Sequence, residues 1–405
     1  MQDILYTVSQ TPVWASAHPQ QTCGSAVTGT CVQPSDIGSG DNYWKNFVTA
    51  FMSHRAAMAY GGLIKTIEVW NEPQNKARWC RPVQDAACDA TWAMLATMIR
   101  DAAAIIHTTA GVSVALPGTG LKPSSGGVDA SDNLLTELEN LGAQDAIDII
   151  AMHRYDTPAC PDYPSATAIL TDSGSITAFK SMIAGHDRQA AKPLWFTEGS
   201  WGPTAECADW AVDLAAQRAF FAQWFIGLYG EGVSRTYWYN WDINAKLWQS
   251  DSAPVGQVLD TTDWIPDGNG GKLNWAGAAY NRLQDWLTGI TFANSPHGCT
   301  AENDVWTCEI KKDGRQARFV WYDRWGSTTD YVPGAAFSGG RQTQIDGTSR
   351  VIGDGSSSIS IGPEPQLLEQ LPPMILRLNP GVRLGPGVRI GPLPPSPGAA
   401  GPARN

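Results

Sequence analysis

Two acids in this chain stand where apolar runs stop. Ile67–Asn75 reads IEVWNEPQN, a strand-like run ending in Asn71, Glu72 and Pro73, and PLWFTEGSWG carries a second run into Glu198 and Gly199. Side chains alternate along a strand, so Glu68, Trp70 and Glu72 are expected on one face, and Leu194, Phe196 and Glu198 on another common face. The proline after Glu72 is expected to hold that residue extended. Two carboxyls about 5 Å apart can cleave a glycosidic bond: a protonated one feeds the leaving oxygen and an ionised one attacks the anomeric carbon. That division of labour needs environments that push the two pKa values apart, the acid's upward. Either tripeptide alone is an ordinary turn after a strand. The pair points to chemistry.

Such a pair needs a scaffold that brings distant strand ends together. Strands are predicted at Ile4–Val8, Lys65–Trp70, Val112–Leu116, Ile147–His153, Leu194–Thr197 and Arg235–Asn240. Trp44, Phe47, Val48 and Phe51 keep helical spacing, as do Trp92, Leu95 and Ile99 on to Ala103 and Ile106. Further helices are predicted at Asp132–Leu141, Ile176–Gly185, Ala208–Tyr229 and Trp275–Leu287. Strands apolar on both faces and alternating with helices give an α/β fold, a (β/α)8-type TIM barrel with its chemistry at the C-terminal strand ends. No G-x-G-x-x-G follows a strand, so a dinucleotide-binding sheet has no support. Three strand–helix units separate Glu72 from Glu198, which places them on opposite walls of one mouth. Past Gly289 the texture changes to alternating strands, with a hairpin signal at Lys312-Asp313-Gly314. The expected organisation is a barrel over 1–289, a β-sandwich-like domain over 290–370, and a Pro/Gly-rich tail over 371–405 that cannot build a core.

Composition narrows the partners. A formal net charge of −11 argues against nucleic acid and anionic membrane surfaces, and no stretch is long and apolar enough to span a bilayer. Tryptophan is in excess, 18 against 10 Phe and 11 Tyr, which suits core packing and also stacking on sugar rings. The eight cysteines include the short spacings Cys23/Cys31, Cys80/Cys88 and Cys299/Cys308, with Cys160 and Cys207 further apart. There is no C-x-x-C, and the six histidines lack ligand spacing, so no metal and no other cofactor is expected. An even number of cysteines in polar stretches fits disulfides and export, although the pairing stays open. The opening MQDILYTVSQ, with no basic start and no long apolar run, is not an export signal.

Together, TPVWAS, CVQPSDIGSGDNYWKNFV, EVWNEP, MHRYD, WFTEGSWG and TYWYNWD resemble the clan A glycoside hydrolases, most of all family 39, over roughly Ile4–Trp286. The resemblance implies retaining hydrolysis of β-linked glycans (a xyloside, a glucoside or an exopolysaccharide), with Glu198 as nucleophile and Glu72 as acid/base. It implies Asn71 on the sugar 2-hydroxyl, Tyr155 bonded to the nucleophile, His153 beside the sugar or a carboxylate, and Trp238 under the reacting ring, with Tyr239 and Trp241 as rivals. Trp14 and Trp201 would line outer subsites, and the other acids, Asp156 and Asp242, complete no pair. The implied partner is an oligo- or polysaccharide, and the implied location is secreted or periplasmic. A family 5-like endo-glucanase, which shares the glutamates and His-x-Tyr, and a non-catalytic carbohydrate-binding barrel remnant are the alternatives. The family's barrel begins two strand–helix units before the TPVWAS strand, so roughly 60–90 residues and a signal peptide are expected upstream. The family's second-strand arginine is not assigned to any residue here, Glu68 is expected low in the barrel without a cationic partner, and this chain alone is expected to be weakly active or aggregation-prone.

Overall fold

The structure, a computed structural model, describes residues 3–371, leaving out 25–26, 87, 122–125, 157–169, 171–175, 202–213, 240–261, 264–271, 274 and 294–297. Cys160, Cys207, Trp241, Asp242 and the tail 372–405 lie outside the described residues, as do the side chains of Tyr155, Asp156 and Trp201.

Six strands carry the site: β1 (Ile4–Val8), β2 (Ile64–Val69), β3 (Ser113–Ala115), β4 (Ile150–Asp156), β5 (Leu194–Trp201) and β6 (Val233–Thr236). They pair in parallel as two sheets, β1-β2-β3 and β4-β5-β6. Parallel bridges Ala115–Ile149 and Gly120–His153 join the two into one wall in chain order. The helices between them are α1 (Tyr43–Ala57), α2 (Trp92–Ile106), α3 (Gly127–Asn140), α4 (Ile176–Ala184), α5 (Leu214–Gly230) and α6 (Trp275–Leu287). The first two start on side-chain caps: Asn42 accepts from the Lys45 amide and Thr91 from that of Met94. Along α2 the stripe Leu95, Met98, Ile99, Ala102 and Ile106 is buried.

Alternation sorts the strand residues into two layers. Val8, Ile67, Val69, Val114, Ile150, Met152, Leu194, Phe196 and Val233 belong to the large core shared with the helices. Ala115, Ile149, Ala151 and Trp195 form a second cluster with Leu5 and Tyr237, the filling of the lumen. Burial of both faces, one under helices and one inside, is the barrel pattern expected from the sequence. Among the described residues β1 and β6 each pair on one side only. The Arg235 guanidinium lies over Trp195 and donates to Asp3 Oδ2 at 2.9 Å, tying β6 to the start of β1.

From Ile290 the chain forms a seven-stranded antiparallel sheet and a two-stranded ladder of Thr329–Tyr331 with Ile359–Ile361. Val305–Lys312 and Arg315–Tyr322 turn through Asp313 and Gly314, both left-handed at φ 50° and 76°, as a two-residue hairpin requires. One face of this hairpin (Trp306, Cys308, Ile310, Ala317, Phe319, Trp321) enters the same core as the barrel helices. The other, with Val320, packs on Phe337, Ile352, Ile359, Ile361 and Leu368. Met1–Gln370 is one compact unit, and one core cluster runs from the barrel helices into this sheet. Disulfides link Cys23–Cys31, Cys80–Cys88 and Cys299–Cys308, with no free cysteine among the described residues.

Candidate active site

At the C-terminal ends of β2, β4 and β5 one imidazole meets three acids. His153 faces inward from β4 and is buried. Its Nδ1 lies 3.3 Å from Glu72 Oε1 and 3.9 Å from Glu198 Oε2, and its Nε2 lies 4.0 Å from Glu68 Oε1. A donor atom from each of Glu72, His153 and Glu198 falls within 4.8 Å of the others. The two acids expected to face one another therefore do so, across His153. Three such atoms at this spacing could also surround a divalent cation; the closest pair, His153 Nδ1 and Glu72 Oε1, lies within hydrogen-bond distance.

Neither acid arrives by simple alternation. Phe196 points outward against Trp224, so Glu198 does not share its face as expected. The β4/β5 register steps from Met152↔Phe196 to His153↔Glu198, leaving Thr197 as an extra residue on β5. This bulge turns both Thr197 and Glu198 toward the site. Gly199 follows because a Cβ there would lie 2.3 Å from the Arg154 carbonyl oxygen and 2.6 Å from the Phe196 ring.

On β2, Glu68 reaches the lumen, but Trp70 turns at φ 82° and is buried against Trp79 with its indole N–H on the Arg78 carbonyl. Trp70 therefore leaves the face expected to hold it beside Glu68 and Glu72. Glu72 itself sits at φ 45° rather than extended, its amide donating to the Gly118 carbonyl at 3.1 Å. A non-glycine residue is strained in this region. Two such residues frame the Asn-Glu-Pro turn, and they aim its acid.

The electrostatics depart from expectation in one respect. Burial pushes the Glu72 carboxyl up, but the His153 hydrogen bond and charge, together with Arg78, outweigh it and hold Glu72 below its ordinary value. Burial likewise pulls His153 down, and Glu72, Glu198 and Glu68 together lift it above the ordinary histidine value. Both directions favour the proton on the imidazole over the acid expected to hold it. Glu68, raised chiefly by burial, has no Arg or Lys partner among the described residues; it accepts from Thr7 Oγ1 at 2.6 Å, Thr197 Oγ1 at 2.8 Å and the Gly118 amide at 3.0 Å. The sequence signalled none of Thr7, Gly118 and Thr197.

Asn71 is half-buried beside Glu72. Tyr155 pairs with Ser200 through the β4/β5 ladder. Trp238 does not join the acids: its ring packs on Phe221 at 4.5 Å, Trp224 at 5.0 Å and Phe225 at 6.5 Å, on the α5 side of the wall. One residue earlier, Tyr237 takes the inward position. Trp14 is exposed and meets Tyr43 edge-on at the rim of an apolar cleft of about 400 Å³ along β1, which none of the acids lines.

No protein-family model and no curated protein matches the sequence. Solved structures do match the fold. A family 44 xyloglucanase from Paenibacillus polymyxa is 12% identical with a TM-score of 0.50, covering 91% of this chain and 80% of its own. A BuGH86 variant in complex with neoagarooctaose is 10% identical with a TM-score of 0.55. It covers 91% of this chain, which spans 60% of its length. At these identities the likeness establishes the architecture alone. The architecture shared with these glycoside hydrolases is the (β/α) TIM barrel.

Proposed function

We propose that the chain is a retaining glycoside hydrolase for β-linked glycans, with Glu198 as nucleophile and Glu72 as acid/base. The observation that carries this reading is the approach of one oxygen from each carboxyl to within 4.8 Å of the other. Retaining enzymes hold the pair about 5–5.5 Å apart, whereas inverting ones leave about 6.5–9.5 Å for a water. Of the two acids, Glu72 is the one within hydrogen-bond reach of His153, at 3.3 Å against 3.9 Å for Glu198, which supports giving it the proton-transfer role. When a sugar covers the site and displaces water, a neutral acid beside a neutral imidazole becomes cheaper than an ion pair, and the proton passes to Glu72. Glu72 then gives it to the leaving oxygen as Glu198 bonds to the anomeric carbon. In the second half Glu72 takes a proton from water, whose oxygen displaces Glu198.

Asn71 adjacent to the acid suits a contact to the 2-hydroxyl, and Tyr155 on the strand beside Glu198 suits a bond to the nucleophile. The motif resemblance favours family 39 within the clan, and the three disulfides suit a secreted or periplasmic location.

The test uses aryl β-xylosides, aryl β-glucosides and soluble β-glucans, with anomer formation followed by proton NMR. The β-anomer is expected as first product, and Glu198→Ala is expected to lower turnover by orders of magnitude while keeping glycan binding. An α-anomer formed first would remove the double displacement. Glycan binding without turnover by the wild type would identify a binding protein instead.

A further inference from the structure

The Thr197 hydroxyl has one proton and two neighbours that could receive it: Glu68 Oε1 at 2.8 Å and His153 Nε2 at 3.1 Å. The direction can be worked out. Glu68 Oε1 already accepts from the Gly118 amide at 3.0 Å, so this oxygen is an acceptor. If the carboxyl carries a proton, that proton belongs on Oε2, which faces the Thr7 hydroxyl at 2.6 Å. In either state Oε1 has a free lone pair for Thr197 and no hydrogen to offer it. Thr197 therefore donates to Glu68, and its remaining capacity is to accept.

We propose that Glu68 and Thr197 are positioning residues that hold His153 as its Nε2–H tautomer, leaving Nδ1 to share with Glu72 the proton of the acid/base step. The tautomer follows from the hydrogen-bond chain alone; the role of the shared proton rests on the glycosidase reading. A histidine in the opposite tautomer would present N–H to Glu72 and could take no proton from it while neutral. The bulge is what makes the chain possible, because it places Thr197 on the lumen side one residue before Glu198. Glycine at 118 is part of the same arrangement: a Cβ there would sit 2.1 Å from Nε2 and 2.8 Å from Thr197 Oγ1.

Nitrogen-15 NMR of the full chain with labelled histidine tests the tautomer without reference to activity. The His153 ring signals are assigned by their loss in His153→Gln. The wild type is expected to show a protonated Nε2 throughout the pH range in which it is folded. Thr197→Val, close in shape but without the hydroxyl, is expected to abolish that pattern, and Thr197→Ser to restore it. A neutral His153 with bare Nε2 and protonated Nδ1 overturns the assignment. So does a Val variant, folded by circular dichroism, with an unchanged pattern, and so does a Ser variant that folds without restoring it. On an aryl β-glycoside that the wild type turns over, Thr197→Val should lose about tenfold or more in kcat with little change in KM, and Ser should recover most of it. The expected NMR pattern in a protein without glycosidase activity would support the tautomer and overturn the functional reading instead.

Discussion

His153 is the residue on which the site's proton inventory turns. With Glu72 below its ordinary value and His153 above its own, the pair carries one mobile proton over the interval between them. Activity that depends on this proton falls as pH rises through the raised His153 value. Glutamine at 153 cannot be protonated, so His153→Gln keeps only one of the two forms that hold the proton. The alkaline limb of kcat/KM is therefore expected to move to lower pH, with kcat down by about tenfold or more. A pH–rate profile checks this, and an alkaline limb that stays in place removes the shared proton from the mechanism. Glu72 and Glu198 were legible in sequence because each ends an apolar run and the two stand three strand–helix units apart. The helpers were not legible. Thr7, Gly118 and Thr197 are common residues whose role arises only when strands from distant parts of the chain meet. Trp238 failed to join for a related reason: one step along a strand exchanges lumen for helix layer, and Tyr237 holds the inward parity.

At the scale of elements, the strands and helices followed from apolar periodicity. Ile4–Val8 and Trp275–Leu287 appear with the bounds read from it, and Trp92–Ile106 is a helix where Trp92, Leu95, Ile99, Ala103 and Ile106 keep helical spacing. The aim of the acids did not follow, because alternation assumes an unbroken pleat. At β5 the pleat is broken by an extra residue, and at β2 it is broken by two left-handed residues. Local sequence cannot announce either, since both are enforced by neighbours: the Gly118 carbonyl holds the Glu72 amide, and Val8 that of Trp70. Gly118 is where these constraints converge. Its replacement by alanine would press a methyl onto the His153 ring, a fixed group with both nitrogens engaged. Gly118→Ala is expected to cost about 1–3 kcal/mol of stability and to depress turnover beyond what that loss explains. Gly40→Ala, with nothing within 4 Å of the new carbon, should stay within about 0.5 kcal/mol. Chemical denaturation alongside steady-state kinetics measures both; equal behaviour of the two variants would show the Gly118 contact to be slack.

At the scale of the molecule, the sequence separates a barrel from a β-domain by texture, and the structure joins them through a common core. The reason lies in the inner face of the hairpin, whose large apolar side chains have no partner sheet of their own on that side among the described residues. Phe319 is fully buried and meets Trp286 of α6 at 5.7 Å, while Trp306 and Trp321 stack at 5.6 Å beside it. Removing the sheet would strip α6 of this cover, and removing α6 would expose the sheet. Such mutual burial predicts that residues up to 370 unfold together rather than as barrel and then sheet. Phe319→Ala should cost about 3–5 kcal/mol, the range for a large buried aromatic. Because the core is shared, that loss should lower the temperature at which the distant acid site loses activity as much as it lowers melting followed by far-UV circular dichroism. Two separated transitions, with the site surviving the first, would show that the sheet is an appendage and that the barrel stands without it.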